Sequence, residues 1–197
     1  MIYLVRHGQS QWNLLRRTQG QIPHPGLTDL GRRQASAAAH AIRADADLNG
    51  EPVSSVVASD SVRAVETAEI VAGVLAVPTR LDGRWREQGL GRLEGLGYEE
   101  TRDALAGSRA GADERIGGGE STRQVTERAA AALGELDPAV ATVVVTHGDT
   151  IRCLLAHVAG AAASDVSDAV PNGSVVALDG RRGSRIRWLA CPPPTGA

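Results

Sequence analysis

A chain of 197 residues can bury a sizeable core in one domain, and its length alone does not demand a second. Its 21 basic residues, every one an arginine, face 23 acidic ones for a formal net charge of −2, which argues against nucleic acid and against a polybasic membrane contact. Cys153 and Cys191 are too few for a disulfide framework and lack zinc-site spacing, and no apolar run approaches membrane-spanning length.

The chain opens on a strand. Ile2–Val5 is a short run, mostly apolar and rich in β-formers, that stops abruptly at Arg6-His7-Gly8. Buried strands of parallel sheets look like this, and they release polar residues at the carboxyl edge, where ligands of open α/β sheets sit. Gly8 would let the backbone approach closely there. The tripeptide alone fits equally well a strand end that Arg6 and His7 merely solvate. The few residues between Met1 and Arg6 are too short for a signal peptide, so a cytoplasmic protein, monomeric or homodimeric, is expected.

Residues 11–26 read as a loop punctuated by Pro23, Pro25 and Gly26. Thr28 is a helix N-cap, and the alanine-rich helix runs to about Asp47, ended by Asn49-Gly50 and Pro52. Val53–Ala58 is the second strand. Ser59-Asp60-Ser61 then offers N-caps for a helix with an apolar stripe of Val62, Val65, Ala68, Ala72 and Leu75. Residues 78–81 make a short third strand. Over 83–119 the periodicity breaks down among glycines and arginines, which predicts a loop-rich lid passing over the sheet edge outside the core.

Ser121-Thr122-Arg123-Gln124 has the form of a capping box, and the helix it opens turns Val125, Ala129, Ala132, Leu133 and Leu136 inward until Asp137-Pro138. Thr142–Thr146 is the most apolar strand. It runs into His147-Gly148-Asp149-Thr150 and a helix with Ile151, Leu154, Leu155 and Val158 at i, i+3, i+4 and i+7. Residues 174–178 and 185–189 flank Asp179-Gly180, a hairpin signal, and Pro192 begins a tail expected to be loose. The alternation predicts an α/β fold: one three-layer domain over 1–191, with a mainly parallel sheet flanked by helices and a tail at 192–197.

Parallel strands would bring three strand ends to one edge: Arg6 with His7, Ser59 with the helix-borne Arg63, and His147 with Gly148. Helix N-termini would point free N–H groups at the same place. The set describes an anion pocket, better matched to a tetrahedral phosphate than to a planar carboxylate. A second histidine has no obvious use in a pure binding site. Two imidazoles beside two guanidiniums should have depressed pKa values, leaving at least one neutral and able to attack phosphorus.

These motifs resemble the histidine phosphatase superfamily, the phosphoglycerate mutase-like family, in its phosphatase branch. Arg6-His7-Gly8-Gln9-Ser10 with Trp12-Asn13 matches the signature, and residues 26–35 resemble the first helix start. Residues 58–64 with Thr67-Ala68 fit the second block. Glu87, Gly91, Glu94 and Gly95 keep the spacing of the acid segment, and Gly118-Gly119-Glu120-Ser121 and Thr146-His147-Gly148 complete the series. The resemblance implies that His7 becomes a phosphohistidine, that Arg6 and Arg63 bind the phosphoryl oxygens with Asn13 assisting, and that His147, beside Gly148, stabilises the group in transfer. It implies that Glu87 protonates the leaving oxygen. From the residues alone Glu87 is only a carboxylate in the lid, where a solvated surface position is the ordinary alternative. Spacing favours it over Glu94. Gln19 and Gly20 are expected to line the pocket.

Two positions depart from the family pattern. Asp60 stands where many relatives carry proline, and residues 22–26 replace a more usual acidic approach, so the pocket mouth should differ. His24 in that loop either touches substrate or is solvated. His40 is expected on the surface, His157 packed, and Cys153 a plain helix residue.

The expected function is hydrolysis of a small phosphorylated metabolite through a phosphohistidine, as in histidine acid phosphatases, with no cofactor and no metal. The alternatives are phosphoglycerate mutase-type transfer and a catalytically silent phosphoester-binding regulator. Mutases of the family carry a longer insertion after the acid segment, whereas 95–119 is short, so water should reach the phosphohistidine. The presence of His7, His147 and Glu87 speaks against a silent regulator. Arg84, Arg86, Arg92, Arg102, Arg109 and Arg115 suit a small, polar or multiply anionic metabolite such as a sugar phosphate or a phosphoglycerate derivative, or else simply solvate the lid.

Overall fold

A computed structural model describes residues 1–106, 111–161, 170–179 and 185–190. Six strands form one sheet: β1 (Ile2–Arg6), β2 (Val53–Ala58), β3 (Thr79–Leu81), β4 (Ala141–Thr146), β5 (Val175–Leu178) and β6 (Ile186–Ala190), in the order β3-β2-β4-β1-β5-β6. β3, β2, β4 and β1 run parallel, while β5 and β6 add an antiparallel hairpin at one side. β4 lies inside the sheet and is buried along its whole length, as its unbroken apolar run requires.

The pleat sorts the core into two halves. Ile2, Leu4, Val57, Val144 and Leu178 face α5 (Thr122–Gly134) and α6 (Gly148–Ala159). Tyr3, Val5, Val56, Val143 and Val145 face α2 (Asp29–Asn49) and α3 (Val62–Leu75) on the other side. Together these make the expected three layers. α2 starts where Thr28 Oγ1 accepts the Gly31 N–H (3.1 Å), and it ends where Gly50 turns left-handed at φ 65°. Arg187 of β6 pairs with Asp45 of α2 (2.7 Å), whose carboxylate also accepts the Tyr3 hydroxyl (3.0 Å). Among the described residues no helix is long and apolar enough to cross a membrane.

The lid departs from expectation. It is not outside the core: Trp85 and Leu93, in short 3₁₀ turns, are buried, and Trp85 packs into the α5–α6 half. It also holds a helix, α4 (Tyr98–Leu105), begun at Gly97 and too short and polar to show a clear period. A one-turn helix, α1 (Gln11–Leu14), interrupts the first loop with Ser10 and Asn13 as its capping box. Gly180, Arg109, Cys191 and the 192–197 tail lie outside the described residues.

One contact fixes the turn after β1. A Cβ at Gly8 would lie 2.2 Å from the Gly31 carbonyl oxygen, and one at Gly31 would lie 2.1 Å from the Gln9 oxygen. Two backbones meet there without side chains. Gly31→Ala should therefore cost about 1–3 kcal/mol by overpacking, read by urea unfolding. An unchanged midpoint would show that the turn can yield.

Candidate active site

The sheet register places the site. Arg6 pairs with Thr146 and Ala58 with Val145, so His7, Ser59 and His147 leave three adjacent strands side by side. The N–H of His7 donates to the Thr146 oxygen and that of Ser59 to the Val145 oxygen, both at 3.0 Å, which continues the ladder one residue beyond the strands.

His7 is only 2% exposed. Its Nδ1 lies 2.7 Å from the Gly8 carbonyl oxygen. A carbonyl can only accept, so Nδ1 carries the proton and Nε2 of the neutral ring keeps its lone pair. Burial first, then the charges of Arg63 and Arg6, hold His7 well below 6.5. Asn172 fixes the turn from below by donating to the His7 carbonyl (3.1 Å) and to Asn13 Oδ1 (3.2 Å), while Gly173 N–H donates to the Arg6 and His7 oxygens. The Pro171-Asn172-Gly173 turn signal was available in the sequence for this role.

His147 is fully buried and meets the His7 ring edge-on, with centroids 5.0 Å apart. Its Nε2 is 2.9 Å from Ser59 Oγ and 3.4 Å from Ser61 Oγ. Ser61 is the N-cap of α3 yet makes no side-chain cap bond, its hydroxyl facing His147 instead. Burial, Arg63 and His7 lower His147 well below 6.5. It is not among the described residues that line the cavity, whereas His7 and Arg63 are.

Arg63, 1% exposed, donates to the Gly20 and Ile22 oxygens at 2.8 Å each. Burial, with Arg6 adding to it and Glu87 opposing, lowers its guanidinium to about 10, so it stays a cation at neutral pH. Arg6 donates to the Val170 oxygen, and a Cβ at Gly148 would lie 3.4 Å from its guanidinium. Arg6 Nε, Arg63 Nε and His147 Nδ1 are buried without an acceptor or donor partner. Buried polar groups normally find partners, and Arg6 and Arg63, both in the cavity lining, each keep a buried N–H without an acceptor.

Glu87 comes from the lid and sits at the start of α6. Its carboxylate accepts the N–H groups of Gln88 (3.0 Å), Asp149 (3.3 Å) and Thr150 (3.2 Å) and the Thr150 hydroxyl (3.3 Å). The N–H groups of Asp149 and Thr150, expected from the sequence to be free at the edge, are therefore engaged, and Val62 N–H of α3 is likewise engaged by the Pro23 oxygen (3.0 Å). Burial, then the negative charge of Asp149, raises the Glu87 carboxyl above 4.5 despite these hydrogen bonds and Arg6. Glu94, the competing carboxylate, instead accepts the Gln21 and Leu90 N–H groups and braces the loop.

Arg128 of α5 locks the acid segment in place. It donates to the oxygens of Arg84 (2.8 Å), Arg86 (2.7 Å) and Glu87 (2.9 Å), and it pairs with Glu120 (2.9 Å), which in turn accepts the Gly89 N–H. Gln21 bridges the Glu87 oxygen and Glu120. An arginine on an amphipathic helix gives no sequence signal for this task.

Arg6, His7, Asn13, Gln19, Gly20, Arg63 and Glu87 line one cavity of about 670 Å³. Asn13 meets the Tyr98 hydroxyl (3.3 Å) and Gln19 accepts from Ser10 (2.7 Å), so α1 is tied to the lid and to the turn. Tyr98, Thr101, Ile116, Asp149 and Arg152 also line the cavity, and none was a sequence candidate. His24 is exposed, stacks edge-on with Trp12 at 5.5 Å, and is outside the lining. Asp60 pairs with Arg86 at 2.5 Å, which gives the residue at the proline position a partner in the lid.

Two guanidiniums, an imidazole held well below its usual pKa and a carboxyl held above its own, all lining one cavity, form a set suited to phosphoryl transfer. Over residues 2–190 the chain matches the family model of the histidine phosphatase superfamily (branch 1), and it belongs to that family of phosphatase and mutase enzymes. A protein of Cronobacter sakazakii named "Probable phosphoglycerate mutase GpmB" is 36% identical over 167 residues, covering 81% of this chain and 74% of that one. A mycobacterial glucosyl-3-phosphoglycerate phosphatase solved with VO3 superposes with TM-score 0.79 at 29% identity, covering 95% of this chain and 96% of that one. TTHB049 from Thermus thermophilus gives 0.68 at 30% identity over 95% and 98%.

Proposed function

We propose that the chain is a phosphomonoesterase that works through a phosphohistidine and needs no metal. His7 Nε2 attacks phosphorus, the N–P bond forms and the P–O ester bond breaks, and Glu87 gives its proton to the leaving alkoxide. Water then attacks phosphorus, Glu87 takes the water's proton, and the N–P bond breaks to release inorganic phosphate. Arg6 and Arg63 hold the equatorial oxygens and supply the charge that Mg²⁺ supplies elsewhere. His147, whose ring meets that of His7, stabilises the group in flight, with Asn13 assisting. The observation that carries this reading is the His7 ring: Nδ1 is committed to the Gly8 carbonyl, which leaves Nε2 as the nucleophile.

The mutase reading is favoured by the name of the curated relative, and the two differ in product. With an alkyl phosphate in EDTA, phosphate release at an undiminished rate is expected. With 3-phosphoglycerate, the mutase reading requires an isomer without net release. Isomerisation alone, or loss of activity in EDTA restored by a divalent ion, would overturn the proposal.

Arg128 is a positioning residue for Glu87 in this scheme. Arg128→Met should slow reaction of alkyl phosphates roughly 10- to 100-fold, since misplacement of a proton donor by about 1 Å has that effect. p-Nitrophenyl phosphate, whose leaving group needs no proton, should be affected far less, and Arg128→Lys should recover part of the loss. An equal loss on both substrates would mean that Arg128 acts only on the fold.

A further inference from the structure

Among the described residues, the arginines of the lid do not line the cavity. Arg84 pairs with Asp82 and Glu135 (both 2.7 Å), Arg86 with Asp60, Arg102 with Glu99 (2.5 Å), and Arg115 donates to the Gly119 oxygen (2.6 Å). None of these four, nor Arg92, is among the described residues that line the cavity. The lining cations are Arg6, Arg63 and Arg152, and Arg152 is paired with Asp149 at 2.9 Å. The charge left over among the lining cations is that of Arg6 and Arg63, and a phosphate dianion neutralises it. Among the described residues no surplus positive charge remains for a second anionic group.

Above the phosphate floor the wall changes character. Leu90, Tyr98, Leu105, Ala112 and Ile116 line it, with Thr18, Thr101 and Thr122 among them, and about 670 Å³ is far more than one phosphate fills. This wall is preformed: Tyr98 N–H donates to the Arg16 oxygen (2.8 Å), Thr18 N–H to the Leu96 oxygen (2.9 Å), Gly95 N–H to the Thr18 oxygen (2.8 Å), and the Thr18 and Thr101 hydroxyls meet at 2.6 Å. α4 is thereby strapped to the first loop before any substrate arrives.

Building on the phosphomonoesterase reading, we infer that the substrate is a monophosphate ester of an uncharged, largely apolar alcohol, whose carbon skeleton lies against Leu90, Leu105 and Ile116. A multiply anionic metabolite, which the sequence suggested, does not suit this wall.

The test is a series of n-alkyl phosphates from methyl to hexyl, with 3-phosphoglycerate and glucose 6-phosphate as polar comparators. Along the series the leaving alkoxide hardly changes in basicity, so a change in kcat/KM reports contact with the wall. A rise of about two- to fourfold per methylene is expected until the cavity is filled, because each buried methylene contributes roughly that much. The hexyl ester should then exceed 3-phosphoglycerate by about tenfold or more, and Ile116→Ser and Leu105→Ser should each flatten the slope. In parallel, phosphorylation of His7 is followed for every ester after acid-free quenching. A flat or falling slope with 3-phosphoglycerate preferred, while His7 is still phosphorylated, overturns the substrate class and leaves the phosphohistidine reading standing. If no ester phosphorylates His7, that reading fails and the inference falls with it.

Discussion

His7→Ala should lose turnover on every ester by roughly four orders of magnitude or more, because on the proposed mechanism it removes the covalent nucleophile and with it the step on which the others act. The variant should still fold. His7 follows the end of β1 instead of filling the sheet core, and its backbone N–H and carbonyl keep their bonds to Thr146, Gly173 and Asn172. Inorganic phosphate should still bind through Arg6 and Arg63, so thermal unfolding with and without phosphate separates loss of chemistry from loss of structure. Near-wild-type turnover in His7→Ala would end the account.

Glu87→Gln should slow single-turnover phosphorylation of His7 by an alkyl phosphate by ~10²–10⁴-fold, the usual contribution of a general acid, and slow p-nitrophenyl phosphate far less. The pH profile should show the same residue. Burial and Asp149 raise Glu87 above 4.5, and burial with Arg63 and Arg6 lowers His7 below 6.5. The wild type should therefore lose alkyl phosphate activity on the alkaline side as Glu87 gives up its proton, with no such limb for p-nitrophenyl phosphate. Leaving-group dependence in Glu94→Gln instead would transfer the acid role there. Folding carries a matching dependence. His7 and His147 are neutral when folded and charge in the unfolded chain, so their contribution is full above pH 6.5 and is lost as pH falls from there toward their lowered folded values.

Much of the site is readable in the sequence because it lies at strand ends. An apolar run that stops at Arg6-His7, at Ser59 or at His147 reports both the strand and what it delivers, and parallel pairing of β1, β2 and β4 does the rest. Glu87 is readable only through the spacing of its segment. Nothing local shows that it caps α6, since its four donors come from Gln88, Asp149 and Thr150, and its support comes from Gln21, Glu120 and Arg128. The lid shows where composition misleads. Arginines that suggest an anion site are consumed by Asp60, Asp82, Glu99 and Glu135, while Leu105 and Ile116, which carry no signal in the sequence, reach the cavity wall. Trp85 lies in a glycine- and arginine-rich stretch, so no periodicity announces its burial.

Trapping the covalent intermediate tests the central claim most directly. The wild-type protein is mixed briefly with a ³²P-labelled alkyl phosphate in EDTA, denatured in alkali and digested. Label that is stable in alkali, lost in acid and carried by the peptide containing His7 is the predicted result. Label on a serine, label on His147, or turnover with no protein-bound label at any time would contradict it.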